Sequence, residues 1–281
     1  MTSSDGTAIA VETVGEGPPL VLTTGALQGR ASVRLLAEAL ADRFTVHLWD
    51  RRGRGDSGGV PDSARDPLGP DGAALVAAEV ADLEAVVAAT GGAPAHYAHS
   101  AGGMLVLEAV LRGLPATRVV AHEPPWRVDG DDPGPRRDLG AATMAALRAG
   151  SPDDAAAAFL GGFPAAAPAP VERLRRTPFW AGTVALAPSL PHDVALVVGD
   201  PVPTERVAAL DIPLLALDGD LSPAWVRAAV AALAASVPGA VHRTLPGQVH
   251  IVTPTVLAPV LTGFLAPDGG APVRGAVGGG R

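Results

Sequence analysis

The period of the apolar positions changes repeatedly along the chain, and each change marks an element. Pro19–Thr23, written PLVLT, is a short unbroken apolar run of the kind buried on both faces of a parallel sheet. Residues 33–40 follow with Leu35, Leu36, Ala39 and Leu40 at helical spacing. Residues 44–49 predict the next strand. Leu75, Val76, Val80, Leu83 and Val87 then give residues 73–89 one apolar helical face. Ala95–His99 predicts a further strand, Met104, Leu105, Leu107, Val110 and Leu111 a buried helix, and residues 117–121 another strand. Ahead of all these, the turn signal Asp5-Gly6 precedes an alternating stretch at 7–13 that predicts a strand. Strand and helix thus take turns, which predicts an α/β chain with a doubly wound, mostly parallel sheet and helices on both faces.

The rhythm breaks at Asp129. Residues 129–138 are charged and rich in Pro and Gly, and read as a solvated loop. Residues 141–210 give short helical pieces at 142–149, 153–159, 171–175 and 179–187, separated by Pro and Gly. Half of the chain's Trp, Tyr and Phe residues lie between 126 and 180: Trp126, Phe159, Phe163, Phe179 and Trp180. They can serve as the small core of a helical layer or as the lining of an apolar substrate pocket, and the two uses are compatible. The strand–helix rhythm resumes with strands at 213–217 and 240–245 and helices at 225–235 and 255–265. The expected organisation is a sheet core from 1–125 and 211–265, a helical cap over 126–210, and a flexible Gly-rich tail at 266–281.

Composition narrows the function. The chain's 281 residues suffice for a large core, and with no cysteine there is neither thiolate chemistry nor a Cys-based metal site. Its formal charge is -8 with no basic stripe, so nucleic acid is not an expected partner. The first residues carry no basic segment followed by an apolar run, and no stretch has the length of a membrane span without charge, Gly or Pro. These features predict a soluble, cytoplasmic protein whose partner is a small-molecule substrate. They do not set an oligomeric state.

Candidate chemistry concentrates at the end of the 95–99 strand. Ser100 stands at a tight corner before Ala101-Gly102-Gly103 and the buried helix. A serine there can stand above a sheet with the positive end of a helix beneath it. Its hydroxyl is a candidate nucleophile, and the Ala101 N–H a candidate oxyanion donor. The same serine can also merely cap the helix. Ala98-His99-Ser100-Ala101-Gly102 departs from the G-x-S-x-G elbow by Ala in place of the first Gly. The loop at 50–58, DRRGRGDSG, does not have the spacing of a nucleotide-binding loop and reads as a rigid turn whose Asp and Arg groups bond its own backbone. His47, His96, His99 and His122 are not spaced as a ligand set on one element, so no metal is expected, and no cofactor either.

Taken in order, DG at 5–6, PLVLTTG at 19–25, DRRGRGDSG at 50–58, AHSAGG at 98–103, GDLS at 219–222 and PGQVH at 246–250 resemble the α/β-hydrolase superfamily, of the esterase, lipase and haloperoxidase-like kind. The resemblance runs from about Asp5 to about Leu265. It implies an α/β-hydrolase sheet with a helical cap insert, Ser100 as nucleophile, His250 as general base, and backbone N–H groups of Ala26 and Ala101 as the oxyanion hole. The third member is left open. Most relatives place an acid three residues after the glycine that ends the penultimate strand, and here that position is Ser222. Glu123 from the end of the preceding strand, Asp220 from the same loop, or no acid at all remain. The implied activity is ester or acyl hydrolysis through an acyl-enzyme. A lyase, cyclase, acyltransferase or C–C bond enzyme on this fold, or a non-catalytic binding protein, are the alternatives. Ser100 argues against the dehalogenases of this fold, which need Asp as nucleophile.

Overall fold

The computed structural model describes residues 1–128, 130–162, 171–198 and 201–266. Among these, one seven-stranded sheet is built from β1 (Val11–Val14), β2 (Pro19–Thr23), β3 (Thr45–Trp49), β4 (Ala95–His99), β5 (Arg118–His122), β6 (Leu214–Gly219) and β7 (Val241–Leu245). The strands lie in the order β1-β3-β2-β4-β5-β6-β7. β1 is antiparallel to β3, and every other neighbouring pair is parallel. The helices are α1 (Arg34–Leu40), α2 (Gly72–Ala88), α3 (Ala101–Leu111), α4 (Gly134–Arg148), α5 (Pro152–Gly162), α6 (Val171–Leu174), α7 (Trp180–Leu186), α8 (Leu190–Val197), α9 (Thr204–Val207), α10 (Ala224–Ser236) and α11 (Pro254–Leu265).

Two layers of core follow from the strand pleat, which sends successive side chains to opposite faces. Leu20 and Leu22 of β2 meet Leu36 and Leu40 of α1 and Leu257 and Leu261 of α11 on one face. Val21 of β2 and Ala98 of β4 belong to the other core, with Leu83 of α2, Leu105 of α3 and Val230 of α10. The central strands are buried on both faces, and β4 and β5 carry His96, His99 and His122 among their apolar residues.

The first strand forms later than the alternation at 7–13 predicts. Thr2 and Ala8 make only an isolated antiparallel bridge around the Asp5-Gly6 turn, and the ladder begins at Val11. Helices α4–α9 form the insertion between β5 and β6. The loop expected at 129–138 is a correction, because α4 already begins at Gly134. Its charges suggest a solvated segment, but Arg136 turns inward, donates to the carbonyls of Pro125, Trp126 and Val197, and lies 4.9 Å from the Trp225 ring. The 50–58 loop is also bonded more widely than expected. Asp50 does accept from the Asp56 N–H, but Arg52 pairs with Asp82, and Arg51 and Arg54 both reach Asp193 on α8. Beyond Ala266, the expected tail lies outside the described residues.

Candidate active site

Ser100 sits between the last residue of β4 and the first of α3 with φ 54 and ψ -126, a conformation that L side chains rarely adopt. Two glycines make the corner possible. A Cβ on Gly102 would stand 2.6 Å from the Thr24 carbonyl oxygen, so only glycine lets α3 start against the end of β2. A Cβ on Gly25 would stand 2.9 Å from Ser100 Cβ, so the loop after β2 can lie directly on the serine only without a side chain there. Buried Ala98 at the first elbow position satisfies the same demand for a small residue. The outcome is a serine only 8% exposed that opens onto a cavity of about 290 Å³. Ala26, Ala101 and His250 line the same cavity. Among the described residues the Ser100 hydroxyl makes no hydrogen bond, and none accepts from the N–H of Ala26 or Ala101.

His250 follows β7 in a loop and is buried. Its Nδ1 lies 2.6 Å from Glu123 Oε2. With Nδ1–H donating to the carboxylate, the neutral ring keeps its Nε2 lone pair as an acceptor. Glu123 is fully buried just past the end of β5, with φ 48. Its other oxygen, Oε1, accepts from the Gly219 N–H at 2.8 Å and from Ser222 Oγ at 2.6 Å. Burial works to raise the Glu123 carboxyl, but the hydrogen bond and charge of His250, helped by Ser222 and Gly219, hold it below its ordinary value.

Of the two carboxylates left open by the sequence, Glu123 therefore meets His250 and Asp220 does not. Asp220 is exposed, and its Oδ1 accepts from the Gly247 N–H at 2.7 Å. Asp218 is taken by His242 Nε2 at 2.9 Å. Ser222, at the position where an acid was expected, donates to the carboxylate that has come from the neighbouring strand.

A layer of buried rings supports this pair. The His99 ring centroid is 4.4 Å from that of His250 and 5.1 Å from that of His122. His99 Nε2 lies 3.0 Å from the His250 carbonyl oxygen, so as a donor it ties down the backbone of the base. Tyr97 Oη and His122 Nδ1 are 2.8 Å apart. Burial, with the neighbouring histidines adding to it, pushes His99 well below its ordinary value, and burial brings His122 to about 3. Both rings are neutral near pH 7. A charged ring stacked under His250 would oppose the positive charge that a base acquires.

The cavity is mostly apolar. Phe159, Phe179 and Trp180 line it as the sequence suggested, joined by Leu174 and Val197 from the insertion. Trp126 is a correction. It is buried in a separate hollow with Met104, Leu111 and Leu196, because the chain after Glu123 runs along the α3 side of the sheet. Phe163 lies outside the described residues. Trp225 and Gln28 line the cavity and were not found from sequence. Trp225 looked like an ordinary apolar position of α10, and Gln28 like a loop residue; its side-chain oxygen accepts from the Gly25 N–H at 3.1 Å. Among the described residues no group of His, Asp and Glu is arranged to hold a metal ion. No described helix is long and apolar enough to cross a membrane.

Comparison with known proteins bears on the family and the fold. The model of the alpha/beta hydrolase family matches residues 20–260. A solved alpha/beta hydrolase from Sphaerobacter thermophilus is 42% identical, with a TM-score of 0.83 over 94% of this chain and 98% of that one. An esterase from a Rhodococcus species, 23% identical, has a TM-score of 0.68 over 95% and 97% of the two chains. An enol-lactonase from Burkholderia xenovorans, 18% identical, has a TM-score of 0.69 over 93% and 97%. The last two similarities speak for the fold alone.

Proposed function

The chain belongs to the alpha/beta hydrolase family, and from that premise we propose that it is a serine hydrolase cleaving an ester or related acyl bond of a small, largely apolar substrate. One observation carries the reading: Ser100, on its strained corner, shares a cavity with a histidine whose far nitrogen is bonded to a buried carboxylate.

The substrate carbonyl enters between the sheet and the helical insertion, which acts as a lid, with the acyl group against Phe159, Phe179 and Trp180. His250 Nε2 takes the Ser100 proton as Oγ attacks the carbonyl carbon. Glu123 stabilises the imidazolium and stays ionised. The developing oxyanion is held by the N–H groups of Ala26 and Ala101, each worth about 3 kcal/mol in the transition state. Collapse expels the alcohol with the proton from His250 and leaves an acyl-Ser100. Water then attacks that ester, His250 taking its proton and returning it to Oγ as the acid departs. The chemistry uses side chains and backbone alone.

The lining supports a neutral substrate. Among the described residues no Lys or Arg lines it, and its one carboxylate, Glu123, is engaged by His250, Ser222 and Gly219. Hydrolysis of p-nitrophenyl esters from acetate to decanoate tests the reading. Wild type turns over at least one ester, Ser100→Ala none above background, and Glu123→Gln loses ~10³–10⁴-fold in kcat. Asp220→Asn stays close to wild type. A wild type inert on the whole panel contradicts the proposal.

A further inference from the structure

The loop after β2 is held from behind by two buried guanidinium groups. Arg54 is 1% exposed, and its Nη1 donates to the Gly25 carbonyl at 2.6 Å and to the Gln28 carbonyl at 3.0 Å. Arg51, fully buried, donates through Nη1 to the Thr24 carbonyl at 3.4 Å. Asp193 on α8 binds both arginines. It accepts from Arg54 Nη2 at 2.8 Å on each oxygen and from Arg51 Nη1 at 3.0 Å. Arg54 Nε adds a bond to Ser189 Oγ at 3.1 Å, just before α8, and Arg51 Nε one to Glu79 at 2.7 Å.

The Gly25 carbonyl and the Ala26 N–H belong to one peptide unit. That unit is planar, and in the trans form its C=O and N–H point in opposite directions. Fixing the carbonyl on Arg54 therefore fixes the N–H on the other side, toward the cavity that Ala26 lines. A cation on the carbonyl also polarises the amide, which makes its N–H a stronger donor in a site of low dielectric. The loop needs this restraint: Leu27, next in the chain, is held at φ 53. Neither Arg54 nor Asp193 lines the catalytic cavity.

We infer that Arg54, clamped by Asp193 of the helical insertion, is a positioning residue that aims and polarises the Ala26 N–H of the oxyanion hole, so that the insertion tunes transition-state binding and not only substrate shape. This rests on the serine-hydrolase reading above. Glycine and alanine of the loop supply the donor, and two charges from elsewhere in the chain supply its direction.

The test compares wild type with Arg54→Met/Asp193→Leu, which removes both charges together and so leaves neither buried alone. Arg54→Lys is the second variant. It keeps a cation against Asp193 but lacks the planar fork that reaches carboxylate and carbonyls at once. Each is assayed for kcat, KM, the acid-limb midpoint of kcat/KM, and inhibition by a trifluoromethyl ketone, whose adduct with Ser100 places an oxyanion in the hole. In the double variant kcat falls ~10- to 100-fold with little change in KM. Affinity for the trifluoromethyl ketone weakens by a similar factor, and the acid-limb midpoint stays put, because the Ser100, His250 and Glu123 groups are untouched. Arg54→Lys shows a smaller loss of the same pattern, and it decides the matter if the double variant does not fold. Folded variants with unchanged kcat and unchanged ketone affinity overturn the inference, as does a rise in KM alone. In that case an active wild type leaves the parent reading standing. A wild type that neither hydrolyses esters nor reacts with a fluorophosphonate overturns both.

Discussion

Glu123 carries three bonds on two oxygens, and each partner comes from a different place in the chain. His250 takes Oε2, while Gly219 and Ser222 share Oε1. Ser222 thus explains its own departure from the usual pattern. In the proposed triad the carboxylate comes from the end of β5, and the Ser222 hydroxyl is a group short enough to hold it. The account predicts that Ser222→Ala lowers kcat ~10-fold, since a buried acceptor loses a charge-assisted bond. It also predicts that Ser222→Asp restores part of the activity lost in Glu123→Gln, because the acid then returns to the register most relatives use. Steady-state kinetics on one preferred ester reads both, and a double variant no better than Glu123→Gln contradicts the second. At this scale Ser100 and His250 were legible because each sits in a local motif. Glu123 was not settled, because its meeting with His250 spans 127 residues of chain and depends on the pairing of β5 with β6 and on a positive φ that no pattern announces.

The elements that position the site behave differently from those that cover it. α3 begins where Gly102 touches the backbone of the loop after β2, so Gly102→Ala forces a methyl against a carbonyl that cannot yield. Its cost is about 1–3 kcal/mol of stability, with kcat falling alongside as Ser100 and the oxyanion loop part. Urea denaturation and ester kinetics on the same sample measure both. Over the cavity, Trp180 packs its ring near Arg175 and donates from Nε1 to Asp153 at 2.5 Å, which fixes α7 against α5. Trp180→Ala is expected to raise KM for the longer acyl chains more than for acetate, and an equal change across the panel goes against a lid that shapes the acyl site. β2 was legible as an apolar run because both its faces are covered. The start of α4 was not, since its Arg136 reads as solvent-facing while its guanidinium in fact satisfies three carbonyls from inside. Trp126 reads as pocket-lining from sequence, whereas its ring packs into the neighbouring hollow beside α3.

Across the whole molecule the buried histidines set the response to acid. Burial lowers His96 to about 4 and His122 to about 3, and carries His99 well below its ordinary value. An unfolded chain takes up these protons near pH 6.5, so below that pH it binds more protons than the folded one. Stability is therefore highest above about pH 6.5 and falls as the pH drops toward 4, by roughly 1.4 kcal/mol per pH unit for each such histidine. Further down, Glu79 adds to the loss. Burial favours its neutral form, but the Arg51 guanidinium brings it to about 2. Chemical denaturation at a series of pH values between 7 and 4 reads the slope, and a flat profile contradicts neutral, buried imidazoles. The alternation of strands and helices in the core, the insertion between β5 and β6, and the loops that gather at the carboxyl ends of the strands were legible from the chain, whereas α8 and α9 were not among the helices read from it. What was hidden is the network joining Arg51, Arg54, Glu79 and Asp193: the arginines read as bonding only their own loop, and their carboxylate partners come from distant helices that the fold brings together.

A Ser100 nucleophile activated through His250 and Glu123 reacts covalently with a fluorophosphonate. Intact-protein mass spectrometry followed by peptide mapping is expected to show a single adduct on Ser100 in wild type and in Asp220→Asn at similar rates, a much slower one in Glu123→Gln, and none in Ser100→Ala. A wild type that stays unmodified, or an adduct on any other residue, rules that nucleophile out.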